Sequence, residues 1–244
     1  MAQRYHTKII LLLVTTTLMV LLSGYSPQTS TEYVEYIADI QHQALIMYWK
    51  NENGDILRTI QNLKEHVEQQ NQQLLFAMNG GMFTQEYAPL GLYIQQQKVL
   101  TSLNTKSGFG NFYIKPNGVF WVSTNNKAEI TPTANFTLTK NIRYATQSGP
   151  MLLINGIINT AFTNGSKNVN IRNGVGILPN NKVLFVMSKH EVNFYDFALY
   201  FKQRGCLQAL YLDGFVSRTY APSQKWIQTD GDFGVMIAVT KPKK

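Results

Sequence analysis

A carboxylate, a glycine, a hydroxyl and a cation follow an apolar run near the end of the chain. The run is Ala-Leu-Tyr-Leu at positions 209–212, and after it come Asp213, Gly214, Ser217 and Arg218. An apolar run of this length is typical of a buried strand, and Asp-Gly ends a strand because glycine tolerates positive φ angles. Such a strand would carry Asp213 to the rim of a pocket, where its carboxylate could take part in acid–base chemistry. An ordinary turn aspartate is the alternative interpretation.

Three other junctions have a similar form, in which an apolar strand adjoins small and hydrogen-bonding residues. They are Asn79-Gly80-Gly81-Met82-Phe83, Gln147-Ser148-Gly149-Pro150 and Arg172-Asn173-Gly174-Val175-Gly176. Glycine lets peptide N–H groups approach a ligand closely, so several such junctions can converge into a pocket for an anion or a sugar. The glycine spacings match neither a Walker loop nor a dinucleotide-binding fingerprint.

Other hydrolytic and metal-dependent chemistries lack their sequence motifs. The chain has no G-x-S-x-G, and no motif joins a histidine to Ser148 or Ser217, which disfavours a serine hydrolase. It also has neither the paired histidines nor the clustered cysteines of a zinc site, and its one cysteine, Cys206, is interpreted as a small buried thiol. Asp230-Gly231-Asp232 offers two carboxylates and is interpreted as a turn. The sequence therefore predicts no metal and no other cofactor.

The charge of the chain favours anionic partners without identifying them. The formal net charge is +8, and removing residues 1–24 takes away Arg4 and Lys8 and leaves +6. The cations are scattered except for the tail at 241–244. Because no basic stripe with interleaved aromatic residues is present, a nucleic-acid partner is not predicted.

Residues 1–24 have the pattern of a secretory signal. Arg4 and Lys8 precede an uncharged stretch, 9–22, which is short for a membrane-spanning helix. We therefore expect residues 1–24 to be a signal peptide, or an anchor if they are not cleaved, and residues 25–244 to form one domain. The protein would then be periplasmic or secreted in a bacterium, and it would meet a membrane only if the signal stayed uncleaved.

Hydrophobic periodicity predicts a single α+β domain with two principal helices. The first helix has apolar residues at helical spacing from Leu57 to Val67, and the second is capped by Asn193 and ended by Gly205. The remaining apolar segments are interpreted as strands of mixed or mainly antiparallel sheets. They are an opening strand, Leu74–Met78, Gly91–Leu100, three hairpins (Phe112–Ile114 with Val119–Val122, 151–158 and 175–186), the run at 209–212 and Val235–Val239.

Seven segments taken together resemble the phosphodiester glycosidase family. They are Asn79–Phe83, Pro89–Leu92, Gly110–Phe112, Lys115–Gly118, Gln147–Pro150, Arg172–Gly176 and Tyr211–Gly214. The set covers most of residues 25–244 in the expected order, and it is specific as a set although no single segment is. The family includes the mammalian enzyme that uncovers mannose 6-phosphate by removing N-acetylglucosamine, and many exported bacterial proteins, which this chain resembles more closely.

The resemblance implies an exported hydrolase that cleaves the anomeric bond of a sugar-1-phosphodiester, so its partner would be a phosphorylated carbohydrate of a glycan or of the envelope. The leaving group would be a weakly basic phosphate monoester, so neutralising charge matters more than donating a proton. Asp213 is expected to activate water or to stabilise positive charge at the anomeric carbon, and Arg172 to bind phosphate bidentately. A structural arginine that pairs with a carboxylate is the alternative for Arg172. Glu86 is expected as a second carboxylate, with Asp196 as the weaker candidate.

Ten further residues are expected to contact the substrate. Glycines would present peptide N–H groups, asparagines would bind hydroxyl or acetamido groups and serines would donate to phosphate, but such side chains also satisfy turns. The ten are Asn79, Gly80, Gly81, Asn111, Ser148, Gly149, Asn173, Gly174, Gly214 and Ser217. Two other functions stay open, namely a non-catalytic protein that binds phosphorylated glycans in the same pocket and a phosphodiesterase that cleaves the P–O bond.

Overall fold

The strands of the protein form three antiparallel sheets. The computed structural model describes residues 32–243, so the predicted signal sequence lies outside the described residues. The strands are β1 (Tyr33–Asp39), β2 (Ala44–Tyr48), β3 (Gln72–Asn79), β4 (Tyr93–Gln95), β5 (Lys98–Thr101), β6 (Gly118–Ser123), β7 (Ala128–Pro132), β8 (Ile142–Ser148), β9 (Met151–Ile154), β10 (Ile157–Ile158), β11 (Asn173–Leu178), β12 (Lys182–Ser188), β13 (Gln208–Asp213), β14 (Thr219–Ala221), β15 (Trp226–Ile227) and β16 (Met236–Pro242).

Each of the three sheets has its own strand order, and all three are antiparallel. The first sheet has the order β1-β12-β11-β13-β9-β10, the second β15-β14-β3-β16-β2 and the third β5-β4-β8-β6-β7. Neighbouring strands in each sheet run antiparallel, as in β11 with β13 and β3 with β16. The prediction of one α+β domain with mainly antiparallel sheets is confirmed.

Strand β13 shows how the alternation of side chains fills two cores. Leu210 and Leu212 belong to the central core, to which strands of all three sheets contribute. Ala209 and Tyr211 face the opposite way and pack with the second helix. Because successive side chains of a strand point to opposite faces, an unbroken apolar run is required where both faces are covered. Asp213 is the last residue of the strand and the first residue after this apolar run.

The two predicted helices are confirmed, and each covers the outer face of one sheet. Helix α1 (Ile60–Gln69) begins at Thr59, whose hydroxyl accepts a hydrogen bond from the Asn62 N–H at 3.0 Å, and it packs on the second sheet. Helix α2 (Phe194–Gln203) begins at Asn193, which accepts from the Asp196 N–H at 2.9 Å, and it packs on the first sheet. Within the described residues, no helix is long and apolar enough to cross a membrane.

Two strand predictions are corrected by the structure. The segment Gly91–Leu100 is a hairpin of β4 and β5 rather than one strand, because the chain reverses at Gln96 and Gln97, whose φ angles are 49° and 66°. Phe112–Ile114 is not a strand: residues Asn111–Tyr113 form a 3-10 turn. The hairpins at 151–158 and 175–186 are present as predicted.

Candidate active site

The end of β13 meets the start of β11, and this meeting fixes Asp213. Asn173 and Asp213 are opposite each other in the ladder, with a register shift between Asn173 and Gly174. At this shift, the Asp213 N–H donates a hydrogen bond to the Asn173 side chain, with Oδ1 as the acceptor at 2.8 Å. Asn173 is fully buried. The backbone of the candidate catalytic residue is therefore held by a side chain from the neighbouring strand.

Asn173 also determines which way the amide of Asn79 points. Asn173 Nδ2 donates to Asn79 Oδ1 at 2.7 Å, and the Arg218 N–H donates to the same oxygen at 3.1 Å. With its oxygen bound on one side, the Asn79 amide presents Nδ2 in another direction, next to the Asp213 carboxyl. Asn79 Nδ2 is buried, and no hydrogen bond of ordinary length and angle satisfies it. Asn79 Nδ2 is therefore a buried hydrogen-bond donor beside the Asp213 carboxyl.

Burial raises the pKa of Asp213 to about 6, from an ordinary value of 3.8. The Gly214 N–H donates to Asp213 Oδ1 at 2.7 Å and, with the Asn79 amide, partly opposes this rise. Part of the residue reaches solvent through the cavity described below, but protein surrounds the carboxyl closely enough for desolvation to dominate. A carboxyl with this pKa can gain or lose a proton near neutral pH, as a general acid or base must.

Asp213 lines an open cavity of about 280 Å³. The lining residues are mainly apolar, and the polar side chains among them are those of Asn111 and Asp213. The full lining is Met82, Phe83, Leu90, Phe109, Gly110, Asn111, Phe112, Asp213, Phe215 and Val216. An apolar cavity with a few convergent polar groups and a residue of perturbed pKa is the usual form of a small-ligand site.

Tyr211 forms the floor under the turn that follows Asp213. A side chain at position 214 would overlap the Tyr211 hydroxyl oxygen, so only glycine fits there. Burial raises the pKa of Tyr211, and the phenol is therefore protonated at neutral pH. Its hydroxyl lies beside the side chains of Arg172 and Asn111. Tyr211 thus connects the cavity lining to the buried arginine.

Arg172 is buried behind the cavity and does not line it. Nε donates to the Val192 carbonyl at 2.7 Å, Nη2 donates to the Asn168 carbonyl at 2.9 Å, and the guanidinium lies 3.6 Å from the centre of the Phe194 ring. Nη1 is buried without a hydrogen-bond partner. Two of the three guanidinium nitrogens therefore hold backbone, one in the preceding loop at Asn168 and one before α2 at Val192. The expectation that Arg172 grips phosphate bidentately is revised accordingly, and so is its alternative, because its partners are carbonyls rather than a carboxylate.

The two candidates for a second carboxylate lie elsewhere. Glu86 is exposed, and hydrogen bonding from the Thr84 hydroxyl lowers its pKa, opposite to the shift of Asp213. Asp196 accepts from Asn193 Nδ2 at 2.7 Å at the start of α2. Neither residue lines the cavity of Asp213. Within the described residues, Asp213 is the one carboxylate of this cavity.

Both predicted serines hold backbone around Asp213. The Ser148 hydroxyl, at the end of β8 in the third sheet, donates to the Leu212 carbonyl at 2.7 Å. The Ser217 hydroxyl donates to the Asp213 carbonyl at 3.3 Å. Both serines are buried. Each therefore fixes the strand end that carries the carboxyl.

At four of the predicted positions, close packing explains why the residue is a glycine. A Cβ at Gly174 would lie 2.9 Å from the Leu210 carbonyl and 3.2 Å from Phe197, on the side of the sheet that faces α2. The other three allow close approach of neighbouring segments: Gly80 lies against Ile237 of the adjacent strand β16, Gly149 against Asn117, and Gly81 against Thr146 of another sheet. Of the predicted ligand-contacting residues, Asn111 lines the cavity itself, and Asn79, Asn173 and Gly214 lie directly around Asp213.

Sequence reasoning named no aromatic side chain among the site residues, although Phe83, Phe109, Phe112 and Phe215 all line the cavity. Phe109 and Phe215 line the cavity mouth, and Tyr211 lies under Gly214 with its hydroxyl beside Asn111. The glycines on both sides of Phe109 and the position of Phe215 directly after Asp213-Gly214 were available signals, because an apolar ring in a glycine-rich loop is unusual. Tyr211 gave no signal beyond its apolar run.

Within residues 32–243, no group of three or more histidine, cysteine, aspartate or glutamate side chains could hold a metal ion. The thiol of Cys206 is buried, and burial raises its pKa to about 12. The residues brought together around Asp213 are amides, a phenol and apolar side chains.

Known proteins are similar to this chain in sequence and in fold. Residues 72–239 match the sequence model of a family described as phosphodiester glycosidase. The protein YigE of Escherichia coli (strain K12), which is described as uncharacterized, is 42% identical over 186 residues, or 76% of this chain and 72% of YigE.

Solved structures are similar at low sequence identity. The catalytic domain of zebrafish N-acetylglucosamine-1-phosphodiester alpha-N-acetylglucosaminidase, auto-inhibited by its pro-peptide, has a TM-score of 0.58 at 13% identity and matches 87% of this chain and 84% of that domain. A candidate exported protein of Burkholderia pseudomallei K96243 has a TM-score of 0.56 at 10% identity, with 85% of this chain and 73% of that one matched. At these identities the likeness is one of fold.

Proposed function

The chain belongs to the phosphodiester glycosidase family, and from that premise we propose that it hydrolyses the anomeric C–O bond of a sugar-1-phosphodiester in the Asp213 cavity. The observation that carries the proposal is the Asp213 carboxyl itself. Asp213 lines an open cavity, and burial brings the pKa of its carboxyl to about 6. The name of the zebrafish relative indicates the same substrate class for that enzyme.

One carboxylate is sufficient for this reaction. Glycosidases of the usual kind need a second carboxyl group to protonate an alkoxide-like leaving group. Here the group that leaves is a phosphate monoester, which is stable as an anion and needs no proton at neutral pH. Water attacks the anomeric carbon, the C–O bond to phosphate breaks with its electron pair on the phosphate oxygen, and Asp213 takes the proton of the water. The ionised form of Asp213 is the active form.

The amides around Asp213 supply the donors that the substrate needs. Asn79 Nδ2 is buried beside the Asp213 carboxyl, and Asn111 lines the cavity. We assign Asn111 and Asn79 to the sugar and phosphate oxygens, and Asn173 to positioning through Asn79 and the Asp213 N–H. The buried Arg172 contributes positive charge behind Tyr211 and not a direct contact.

Hydrolysis of a panel of sugar-1-phosphodiesters by the intact chain tests the proposal. Release of free sugar is expected, and Asp213→Asn should reduce kcat/KM by about 10²–10⁴-fold, the usual contribution of a general base. Glu86→Gln is the matched control, because it removes an exposed carboxylate outside the cavity. Full activity in Asp213→Asn would refute the assignment.

Non-catalytic binding of phosphorylated glycans is the second candidate function. The observation that favours it is that Asp213 has no carboxylate partner among the described lining residues. It predicts saturable binding of the panel with no release of sugar, and it predicts that Asp213→Asn changes a dissociation constant rather than a rate.

We also propose export, so that the protein acts outside the bacterial cytoplasm. The support is the pattern of residues 1–24, in which two cations precede an uncharged apolar stretch. Cell fractionation of the intact chain, with a variant that carries charges in residues 9–22 as control, decides this. Equal amounts of both proteins outside the cytoplasm would contradict it.

A further inference from the structure

Two phenylalanine rings stand in solvent at the mouth of the Asp213 cavity. Phe109 has a relative exposure of 101% and Phe215 of 91%, and both line the cavity. Of the exposed large hydrophobic side chains in residues 32–243, these two have the largest exposed fractions. An exposed phenylalanine gives up the stabilisation that burial of its ring would provide, so two such rings at one opening require an explanation.

The rings are attached to the parts of the chain that carry the polar groups of the cavity. Phe215 is separated from Asp213 by Gly214 alone, and Phe109 is separated from Asn111 by Gly110, whose φ is 91°. Each ring is therefore two residues from a polar group of the lining. A ligand whose reacting carbon lies at Asp213 would lie close to both rings.

The composition of the lining indicates what passes there. None of the described lining residues is a lysine or an arginine, and its polar side chains are those of Asn111 and Asp213. A polyanionic group at the mouth would meet no countercharge, and a second sugar would find few partners for its hydroxyl groups. An apolar group would cover both rings and gain their burial.

We propose that the alcohol on the far side of the phosphate is apolar, so that the substrate class is a sugar-1-phosphodiester of a long-chain alcohol, an acyl or prenyl lipid. This inference rests on the proposed function for the identity of the reaction. The cavity of about 280 Å³ holds the sugar, Asp213 lies at the anomeric carbon, and the chain beyond the phosphate lies on Phe109 and Phe215. The two rings are then specificity residues for the leaving alcohol.

The binding test uses octyl phosphate and ethyl phosphate, which differ in chain length alone. Calorimetry with the intact chain is expected to give a dissociation constant at least about tenfold lower for octyl phosphate, since each buried CH₂ contributes up to about 0.8 kcal/mol. The double variant Phe109→Ala/Phe215→Ala should bring the two dissociation constants within about twofold of each other. The control is Ile227→Ala, which removes another exposed apolar side chain outside this lining and should leave the tenfold difference intact.

The turnover test uses two diesters of N-acetylglucosamine 1-phosphate, one with methanol and one with octanol. The octyl diester is expected to have the higher kcat/KM, and the double variant should lose this preference, whereas Ile227→Ala should keep it. If neither diester is hydrolysed, the proposed function fails while the phosphate binding test still decides the present inference. Equal binding of octyl and ethyl phosphate, a preference that survives in the double variant, or an equal loss for both ligands would overturn it.

Discussion

Replacing Asp213 by asparagine is expected to make the folded protein more stable at neutral pH. The carboxyl binds its proton more tightly in the folded state, where its pKa is about 6, than in the unfolded state, where it is 3.8. A group with a raised folded pKa weakens the fold as the pH rises, because the folded state must hold a desolvated charge. Asparagine has nearly the same shape and never ionises.

The size of the effect follows from the shift. A rise of about two pKa units corresponds to about 3 kcal/mol of lost unfolding free energy once the carboxyl is fully ionised, at about 1.36 kcal/mol per unit. The loss begins above about pH 4 and is complete above about pH 7. For a domain of this size, about 3 kcal/mol corresponds to a rise in Tm of roughly 6–12 °C. Residues that serve catalysis commonly weaken a fold in this way.

Thermal unfolding of both proteins from pH 4 to pH 8 checks this prediction. Asp213→Asn should unfold at a higher Tm than the wild type at pH 8, and the difference should nearly vanish at pH 4, where both side chains are neutral. Glu86→Gln should show no gain at pH 8, because its carboxylate is exposed and its pKa is lowered. A Tm difference that is the same at both pH values would show that the Asp213 carboxyl is not desolvated by folding.

Three further predictions concern the surroundings of Asp213. The pH profile of kcat/KM should fall about tenfold per unit below about pH 6, since the ionised Asp213 is the active form, and a profile that instead falls above pH 6 would make Asp213 a general acid. Asn173→Ala removes the acceptor of the Asp213 N–H and should lower kcat by about 10–100-fold, shift the acidic limb of the profile and change KM little; an unshifted limb would assign Asn173 a structural role alone. Arg172→Lys should lower the unfolding free energy by about 1–3 kcal/mol, measured by urea denaturation, while KM stays within a few-fold, because the guanidinium binds Val192 and Asn168 carbonyls; a large rise in KM with unchanged stability would return Arg172 to the phosphate.

Local signals in the sequence were sufficient for α2, for the hairpin at 151–158 and for the strand that ends in Asp213. Each of these depends on neighbouring residues: an Asn193 cap, an Asn-Gly turn, or an apolar run followed by Asp-Gly. The hairpin at Gln96 and Gln97 was missed because both residues adopt left-handed backbone conformations although neither is a glycine or an asparagine. No local preference predicts that choice, which depends on the pairing of β4 with β5 and β8.

The candidate site depended on contacts that sequence spacing does not contain. Asp213 could be found from its glycine junction and Asn111 from the family resemblance, whereas the hydrogen bonds of Arg172 to the carbonyls of Val192 and Asn168 have no sequence motif. The direction of the Asn79 amide depends on Asn173, from another sheet. The glycine junctions do converge, but Gly174 is small because of α2 packing and not because of a ligand.

The position of the oxygen that water supplies tests the central claim most directly. A sugar-1-phosphodiester is hydrolysed by the intact chain in water enriched in the heavy oxygen isotope, and both products are analysed by mass spectrometry. Attack at the anomeric carbon, with Asp213 as base, predicts that the label enters the free sugar and that the phosphate monoester is unlabelled. Label found only in the phosphate would mean P–O cleavage and would contradict the account.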